Sequence, residues 1–294
     1  MNIFSRREFI CGAIAAIPSY ASAKRPALCL FSKHLPKLNY AELARTVKQM
    51  GFHGVDLTVR PEGHVLPERA GEDLPRAVET IRAQGLAVPM ITTGLTSASD
   101  PAARPTLETA GRLGVQYFKL GYWQYGTVPI ELRLLEVQRD VAGLVAIGKE
   151  HGVVAGYHNH SGNNVGAAVW DIRSIIADMD PLWIGYYFDP CHATAEGGEG
   201  GWRISLRMAL ARIKMVAIKD FYWEKRAGQW EMRMCPLGEG MVQWPEFFAT
   251  LKTAQFTGPI SLHIEYEAAD EIAAITRDLA YLRKQVDAAY GGVS

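Results

Sequence analysis

Four of the eight histidines in this chain lie in three short stretches, and each stretch ends an apolar run. The stretches are residues 156–160, 188–192 and 261–265. His158 and His160 are two residues apart, as are His263 and Glu265, so each pair should face one side of an extended strand. Imidazoles and carboxylates gathered at strand ends predict a metal site or an acid–base site.

For any one of these histidines, the alternative is a hydrogen-bonded residue of the core. The three stretches together favour a functional site, because polar side chains buried without partners are costly. A core has little reason to repeat them at strand ends.

Eight apolar, β-rich runs alternate with helical segments along the chain. The predicted strands are residues 27–35, 54–59, 87–93, 117–122, 153–158, 183–189, 215–220 and 259–265. The predicted helices are residues 40–50, 74–84, 102–113, 130–151, 167–177, 203–213, 245–254 and 271–289. The first four helices are each followed by a glycine at or near the C-cap position.

Eight β/α units in about 270 residues predict an α/β fold of the (β/α)8 TIM-barrel class, for which about 250 residues is typical. An open doubly wound sheet is the alternative, but no Gly-x-Gly-x-x-Gly follows the first strand. In a TIM barrel the carboxyl ends of the strands meet at one mouth, where the chemistry takes place. Every predicted strand contributes polar groups there.

The first 23 residues differ from the rest of the chain. Ser5-Arg6-Arg7 precedes an apolar stretch over residues 9–18, and Ala21-Ser22-Ala23 has the small-x-small pattern of a cleavage site. This pattern predicts a twin-arginine signal peptide over residues 1–23, a TIM-barrel domain over residues 24–294, and a periplasmic location. The apolar stretch is shorter than the roughly 20 residues that span a bilayer, so no stable membrane insertion is expected after cleavage.

Charge and cysteine content exclude two further classes of protein. The chain has 31 basic and 31 acidic residues, and without residues 1–23 its formal charge is −1, which gives no basis for binding nucleic acid. Cleavage would leave Cys29, Cys191 and Cys235, an odd number that excludes a fold built on disulfides. Homo-oligomerisation stays open.

Five short motifs carry a resemblance to a known superfamily. They are Gly51-Phe52-His53-Gly54-Val55-Asp56-Leu57, Tyr157-His158-Asn159-His160, Asp189-Pro190-Cys191-His192, Lys219-Asp220 and Leu237-Gly238-Glu239-Gly240. With them, nearly the whole chain after residue 23 resembles the xylose-isomerase-like TIM barrels, the superfamily of sugar phosphate isomerases and epimerases. The resemblance implies a barrel enzyme that acts on a small carbohydrate.

The resemblance also implies a divalent-metal site, with Glu from the fifth strand, Asp from the sixth, His from the seventh and Glu from the eighth. This chain keeps the Asp as Asp189 but has His158, Ala217 and His263 at the other positions. His158, Asp189 and His263 would still provide two imidazoles and a carboxylate for Mn, Zn or Fe. His160, His192 or Glu265 could complete the set.

The resemblance also implies that paired glutamates move protons to and from a carbon beside a carbonyl. In this chain His158 and His263 occupy the two glutamate positions. Glu265 or a metal-free histidine, His160 or His263, is therefore the predicted base, and Lys219 the residue that stabilises an enolate or pairs with a carboxylate. The residues predicted to bind substrate are Lys33, Arg60, Lys119, Trp123, Asn159 and His192. Trp123 could stack on a sugar ring or simply pack at the barrel mouth.

These observations predict an exported, metal-dependent isomerase, epimerase or lyase that removes a proton next to the carbonyl of a sugar or keto-sugar. The alternative is a catalytically inactive barrel that binds carbohydrate or serves as an accessory subunit. Ala217, which has no ligand atom, is the feature that favours the alternative.

Overall fold

A computed structural model describes residues 25–291 of the chain. The predicted signal peptide, including Arg6, Arg7 and Ala23, lies outside the described residues. The strands are β1 Leu28–Phe31, β2 Gly54–Val59, β3 Ala87–Thr93, β4 Tyr117–Lys119, β5 Val154–His158, β6 Ile184–Phe188, β7 Ile213–Ile218, β8 Asp220–Arg226, β9 Gln229–Cys235 and β10 Ile260–Leu262. Eight of them close into a parallel barrel in the order β1-β10-β7-β6-β5-β4-β3-β2, which confirms the predicted TIM barrel.

The helices alternate with the barrel strands. They are α1 Tyr40–Met50, α2 Ala70–Ala83, α3 Ala103–Arg112, α4 Ile130–His151, α5 Val169–Ile176, α6 Pro190–Ala209, α7 Trp244–Thr253 and α8 Glu271–Tyr290. Helices α1 and α4 have the predicted bounds, and Gly51 and Gly152 end them in the left-handed conformation that glycine adopts without strain.

Helix α6 differs most from its prediction, because it begins directly after β6 rather than at residue 203. Asp189 is its N-cap and accepts a hydrogen bond from the backbone N–H of His192, while Pro190 occupies the first turn. Gly198, with a φ of +60°, interrupts the helix and obscures it in the sequence. The strand-six carboxylate is therefore held rigidly at the helix start.

The inside of the barrel is filled rather than hollow. Met90, Tyr187, Met215 and Ala217 form a small buried cluster of their own, separate from the large apolar layer between strands and helices. Gly156 makes room for this cluster, because a Cβ there would lie 2.0 Å from the terminal methyl of Met215. The cluster forms the floor beneath the polar residues at the strand ends.

Strands β8 and β9 form an antiparallel hairpin outside the barrel that the sequence did not predict. Ala227 and Gly228 both have positive φ at its turn, as a two-residue hairpin loop requires. At its base, the Asp220 carboxylate accepts hydrogen bonds from four backbone N–H groups and from the Trp244 indole. Within the Lys219-Asp220 motif, Asp220 therefore has a structural role, because it joins the hairpin to residues 238–244.

Two further sequence predictions concern the body of the fold. Cys29, Cys191 and Cys235 are buried and unpaired, in agreement with the exclusion of a disulfide framework. Within residues 25–291, no helix combines the length and apolarity needed to cross a membrane.

Candidate active site

A cavity of about 90 Å³ lies at the carboxyl ends of the barrel strands. The residues lining it are Phe31, Lys33, Arg60, Thr92, Lys119, Tyr122, His158, His160, Tyr187, Lys219, His263 and Glu265. Eight of the twelve predicted site residues are among them. His158 with His160, and His263 with Glu265, share the cavity, as their two-residue spacing predicts.

Lys219 places a buried cation in this cavity. Its side chain is 2% exposed, and its Nζ lies 3.0 Å from Glu265 Oε2 and 3.4 Å from Asp189 Oδ2. Burial alone would lower the pKa of Lys219, but the carboxylates of Asp189 and Glu265 raise it above the ordinary value. Against the effect of burial, the same ammonium holds the pKa of Glu265 well below its usual range. Glu265 is therefore held ionised with low basicity, and its role as the base stays a prediction.

His158 links two other site residues in a hydrogen-bonded chain. Burial, followed by the charge of Lys219, holds its pKa well below 6.5, so the imidazole is neutral. Its Nε2 lies 3.1 Å from Asp189 Oδ2 and its Nδ1 lies 2.7 Å from the Tyr122 hydroxyl. Because a carboxylate can only accept, Nε2–H donates to Asp189 and Nδ1 accepts from Tyr122.

His263 is held by a second chain that ends at a different carboxylate. Asp56 is fully buried and accepts hydrogen bonds from the hydroxyls of Thr92, Ser261 and Tyr187. Since Tyr187 gives its one proton to Asp56, its oxygen accepts from His263 Nε2–H, 3.1 Å away. His263 Nδ1 is then left with a lone pair; it is buried without a hydrogen-bond partner in the described structure and lies 3.8 Å from Glu265 Oε1.

The remaining two histidines form a pair at one side of the cavity. The rings of His160 and His192 lie 4.0 Å apart between centroids. His160 lines the cavity, whereas His192 lies behind it, with Nδ1 2.9 Å from Ser161 Oγ and Nε2 3.7 Å from Asp189 Oδ2. His192 Nε2 is buried without a hydrogen-bond partner in the described structure, and the residue bonds Asp189 through its backbone N–H; its role in binding substrate stays a prediction.

Two other predicted substrate ligands are structural. Trp123 is 4% exposed, stacks on Tyr157 and donates its indole N–H to Asp140, so it packs beside the barrel instead of facing a sugar. Asn159 is fully buried, and its amide exchanges two 2.8 Å hydrogen bonds with the backbone of Asp189. It fixes the position of that carboxylate.

The sequence prediction did not include as site residues three members of these hydrogen-bonded chains: Tyr122, Tyr187 and Asp56. Asp56 and Thr58 are polar residues two apart in an otherwise apolar strand, and that spacing was a usable signal. Tyr187 had no such signal, because it stands within the aromatic run Tyr186-Tyr187-Phe188.

Buried neutral histidines give a prediction about stability and pH. Burial lowers the pKa of His34 to about 3, and it lowers those of His158 and His192 as well. Below pH 6.5 these histidines bind protons in the unfolded chain but stay neutral in the folded one. The folded state therefore loses stability as pH falls below 6.5 and keeps its full stability above pH 6.5. Each such histidine costs about 1.4 kcal/mol per pH unit in that window.

We therefore expect the melting temperature to fall steadily between pH 6.5 and the folded-state pKa values. In the control His34→Gln, a side-chain oxygen can still accept from the Ile264 N–H that bonds His34 Nε2 at 3.0 Å. Its melting temperature should fall less steeply with pH. Equal slopes for the two proteins would contradict the assignment of His34.

Comparison with known proteins identifies the family to which this barrel belongs. The family model described as xylose isomerase-like TIM barrel matches residues 44–285. The chain belongs to that family. This result confirms the resemblance seen in the sequence. A search of curated protein sequences finds no match.

Solved structures with the same fold share little sequence with this xylose isomerase-like barrel. The 3-keto-D-glucoside 4-epimerase of E. coli, in apo form, has a TM-score of 0.69 and 17% identity over 88% of this chain and 100% of that chain. D-allulose 3-epimerase of Methylomonas sp., with D-allulose bound, has a TM-score of 0.67 and 14% identity over 90% and 98%. A xylose isomerase-like barrel of Mycobacterium smegmatis, in complex with magnesium, has a TM-score of 0.69 and 15% identity over 93% and 100%.

In this xylose isomerase-like barrel, the residues predicted as metal ligands do not form a ligand set. His158 uses both ring nitrogens, donating Nε2–H to Asp189 and accepting at Nδ1 from Tyr122, so of these two histidines only His263, at Nδ1, keeps a free lone pair. The Lys219 ammonium stands against the Asp189 carboxylate. Among residues 25–291, no group of three or more His, Cys, Asp or Glu side chains is arranged to hold a metal ion. The arrangement therefore does not fit the predicted Mn, Zn or Fe.

Proposed function

We propose that this protein is an isomerase or epimerase of a sugar or keto-sugar, acting by removal of a proton from a carbon next to a carbonyl. One observation carries the proposal. Two strand-end histidines, each hydrogen-bonded into a chain that ends at a different buried aspartate, line the cavity that holds Lys219. The sugar epimerases among the structural neighbours support the same class of reaction.

The two histidine chains place a base and an acid beside the same cavity. The ring centroids of His158 and His263 are 6.3 Å apart. On one side, His263 Nδ1 has the free lone pair that a base needs. On the other, the Tyr122 hydroxyl is oriented by its hydrogen bond to His158 Nδ1, and a phenol keeps its proton at neutral pH. His263 is then the base, and Tyr122 is the acid once its hydroxyl turns its one proton from His158 Nδ1 to the substrate.

Two further cations in the cavity indicate the substrate class. Lys119, 2% exposed, and Arg60 have no carboxylate within 4.0 Å among the described residues; Lys119 Nζ instead lies 3.4 Å from the centre of the Tyr122 ring. Burial and the charge of Arg60 lower the pKa of Lys119 well below 10.5, and an anion bound beside Lys119 would favour its charged form. A substrate with a carboxylate or phosphate group would satisfy both cations.

Proton exchange with solvent tests the proposed function. Keto-sugars, neutral and carboxylated, would be incubated with the protein in D₂O and followed by NMR for deuterium at the carbon next to the carbonyl. We expect uptake, with the carboxylated members reacting faster. Uptake together with loss of a neighbouring substituent would identify a lyase, since elimination begins with the same proton removal. Tight sugar binding without uptake would instead support the inactive, carbohydrate-binding barrel.

We also propose that the chain is exported by the twin-arginine route, on the basis of Arg6, Arg7 and the cleavage pattern at Ala23. Changing Arg6 and Arg7 together to lysine is expected to keep the uncleaved chain in the cytoplasm, because that pathway reads the arginine pair. Immunoblots of periplasmic and cytoplasmic fractions would measure this. Arg45→Lys, an exposed change in α1, is the matched control; equal export of both variants would contradict the proposal.

A further inference from the structure

The seventh strand gives the site its cation. Ala217 occupies the position where the family resemblance implies a histidine ligand, and it is buried in the cluster that forms the barrel floor. Lys219 lies two residues further toward the mouth, and its side chain, like that of Ala217, is turned to the barrel interior. Lys219 Nζ thereby comes to lie between Asp189 Oδ2, at 3.4 Å, and Glu265 Oε2, at 3.0 Å.

This arrangement is complete in charge without a metal. Two carboxylates, one from the end of β6 and one beyond the end of β10, share one buried ammonium, and Lys33 Nζ, 3.7 Å from Glu265 Oε1, supplies the second positive charge. A divalent ion bound to the same oxygens would stand within a few ångströms of that ammonium, and like charges repel strongly where water is excluded. The metal ion and the Lys219 ammonium would therefore compete for the same position between the two carboxylates.

We propose that the Lys219 ammonium takes the place of the divalent metal, so that this barrel works without one. The part of the inference that concerns turnover rests on the proposed function. In that step the C–H bond next to the carbonyl breaks and its proton moves to His263 Nδ1. The electron pair of that bond forms the C=C bond, and the carbonyl π pair moves to the oxygen. Lys219 pairs with the resulting enolate oxygen and keeps its own protons.

Metal binding can be measured without any substrate. We expect the protein, purified without chelator, to contain only substoichiometric metal by mass spectrometry. Its melting temperature should not change with Mn²⁺, Zn²⁺ or EDTA. One equivalent of metal per chain, lost to EDTA together with thermal stability, would overturn the proposal.

Substitution of Lys219 gives the converse test. Lys219→Ala leaves Asp189 and Glu265 without their shared cation, so we expect the melting temperature of this variant to rise on addition of Mn²⁺. Lys119→Ala is the matched control, because it removes a buried lysine from the same cavity that has no carboxylate partner. Lys119→Ala should not respond to Mn²⁺; an equal response of both variants would contradict the role of Lys219.

A third variant covers the case in which Lys219→Ala does not fold. Lys219→Arg keeps the positive charge and should remain folded and indifferent to Mn²⁺. Its stabilisation by Mn²⁺ would count against the proposal.

Turnover gives the last measurement. Lys219→Met is expected to slow deuterium exchange by about 100-fold or more, as loss of an oxyanion-stabilising group does, while EDTA leaves wild-type exchange unchanged. Exchange that stops with EDTA and returns with metal would overturn metal independence alone. Absence of exchange with every keto-sugar, in a protein that also binds no metal, would reject the proposed function and leave the metal result standing.

Discussion

His263→Gln is expected to lower the rate of deuterium exchange by about 10²–10⁴-fold, the range for losing a general base. Glutamine is close to histidine in size and can still donate a hydrogen bond to Tyr187, so the chain that ends at Asp56 persists. What disappears is the free lone pair of Nδ1. The melting temperature should change little, and the NMR exchange assay that tests the function measures the rate.

Glu265→Gln separates this assignment from the role predicted for Glu265. If His263 is the base, Glu265→Gln should keep more activity than His263→Gln, because it removes only one of the two partners of Lys219. The reverse order of activities would return the role of base to Glu265.

Asp189→Asn is expected to lower the exchange rate by about 10³-fold or more and to destabilise the fold. An amide can donate to His158 Nε2, which would then carry the lone pair and have its proton on Nδ1; in Ser-His-Asp triads a wrong tautomer of this kind costs about 10⁴-fold. The change also removes one of the two carboxylates beside the buried ammonium of Lys219. Breaking a buried ion pair costs about 3–5 kcal/mol, and the remaining contact with Glu265 places this variant near the lower end.

Chemical denaturation and the exchange assay would measure both effects of Asp189→Asn. Asp171→Asn is a suitable control, because Asp171 is a partly buried aspartate in the first turn of α5 that accepts a hydrogen bond from Tyr125 and does not line the cavity. An Asp189→Asn variant with wild-type activity and stability would remove Asp189 from the site.

The sequence was sufficient to predict which strands carry the site. Strand periodicity and the glycines after the helices defined the barrel, and the convergence of strand ends at one mouth then brought His158 and His263 together. These properties are local, or follow from the symmetry of the fold. They do not depend on how any one side chain is hydrogen-bonded.

The hydrogen-bond partners could not be predicted in the same way. Asp56 and Tyr187 are 131 positions apart in the chain, and Asp56 and Ser261 are 205 apart. A two-residue alternation tells which side of a strand a residue faces, but it does not tell how far a lysine side chain reaches. For that reason the sequence left open whether Lys219 pairs with Asp189, with Asp220 or with a substrate.

The hairpin was missed for another physical reason. Trp223 and Trp230 are 40% and 65% exposed, so large apolar residues lie on the outside of β8 and β9. A strand pair with no buried face lacks the alternation that marks an amphipathic strand. Its turn residues, Ala227-Gly228, were the remaining signal.

The hairpin also separates the surface that would contact the body of a substrate from the cavity that would hold its reacting carbon. Together with the loop after β10, it encloses a cleft of about 800 Å³ that reaches Glu265, whereas the cavity around Lys219 measures only about 90 Å³. The reacting carbon would enter the small cavity while the rest of the molecule lies against Tyr222, Met232 and Tyr266. Because the hairpin is an insertion outside the barrel, its length and its aromatic residues can change without moving any proton-transferring group. Preference for a larger or smaller substrate can therefore evolve in the hairpin while the chemistry stays fixed in the strands.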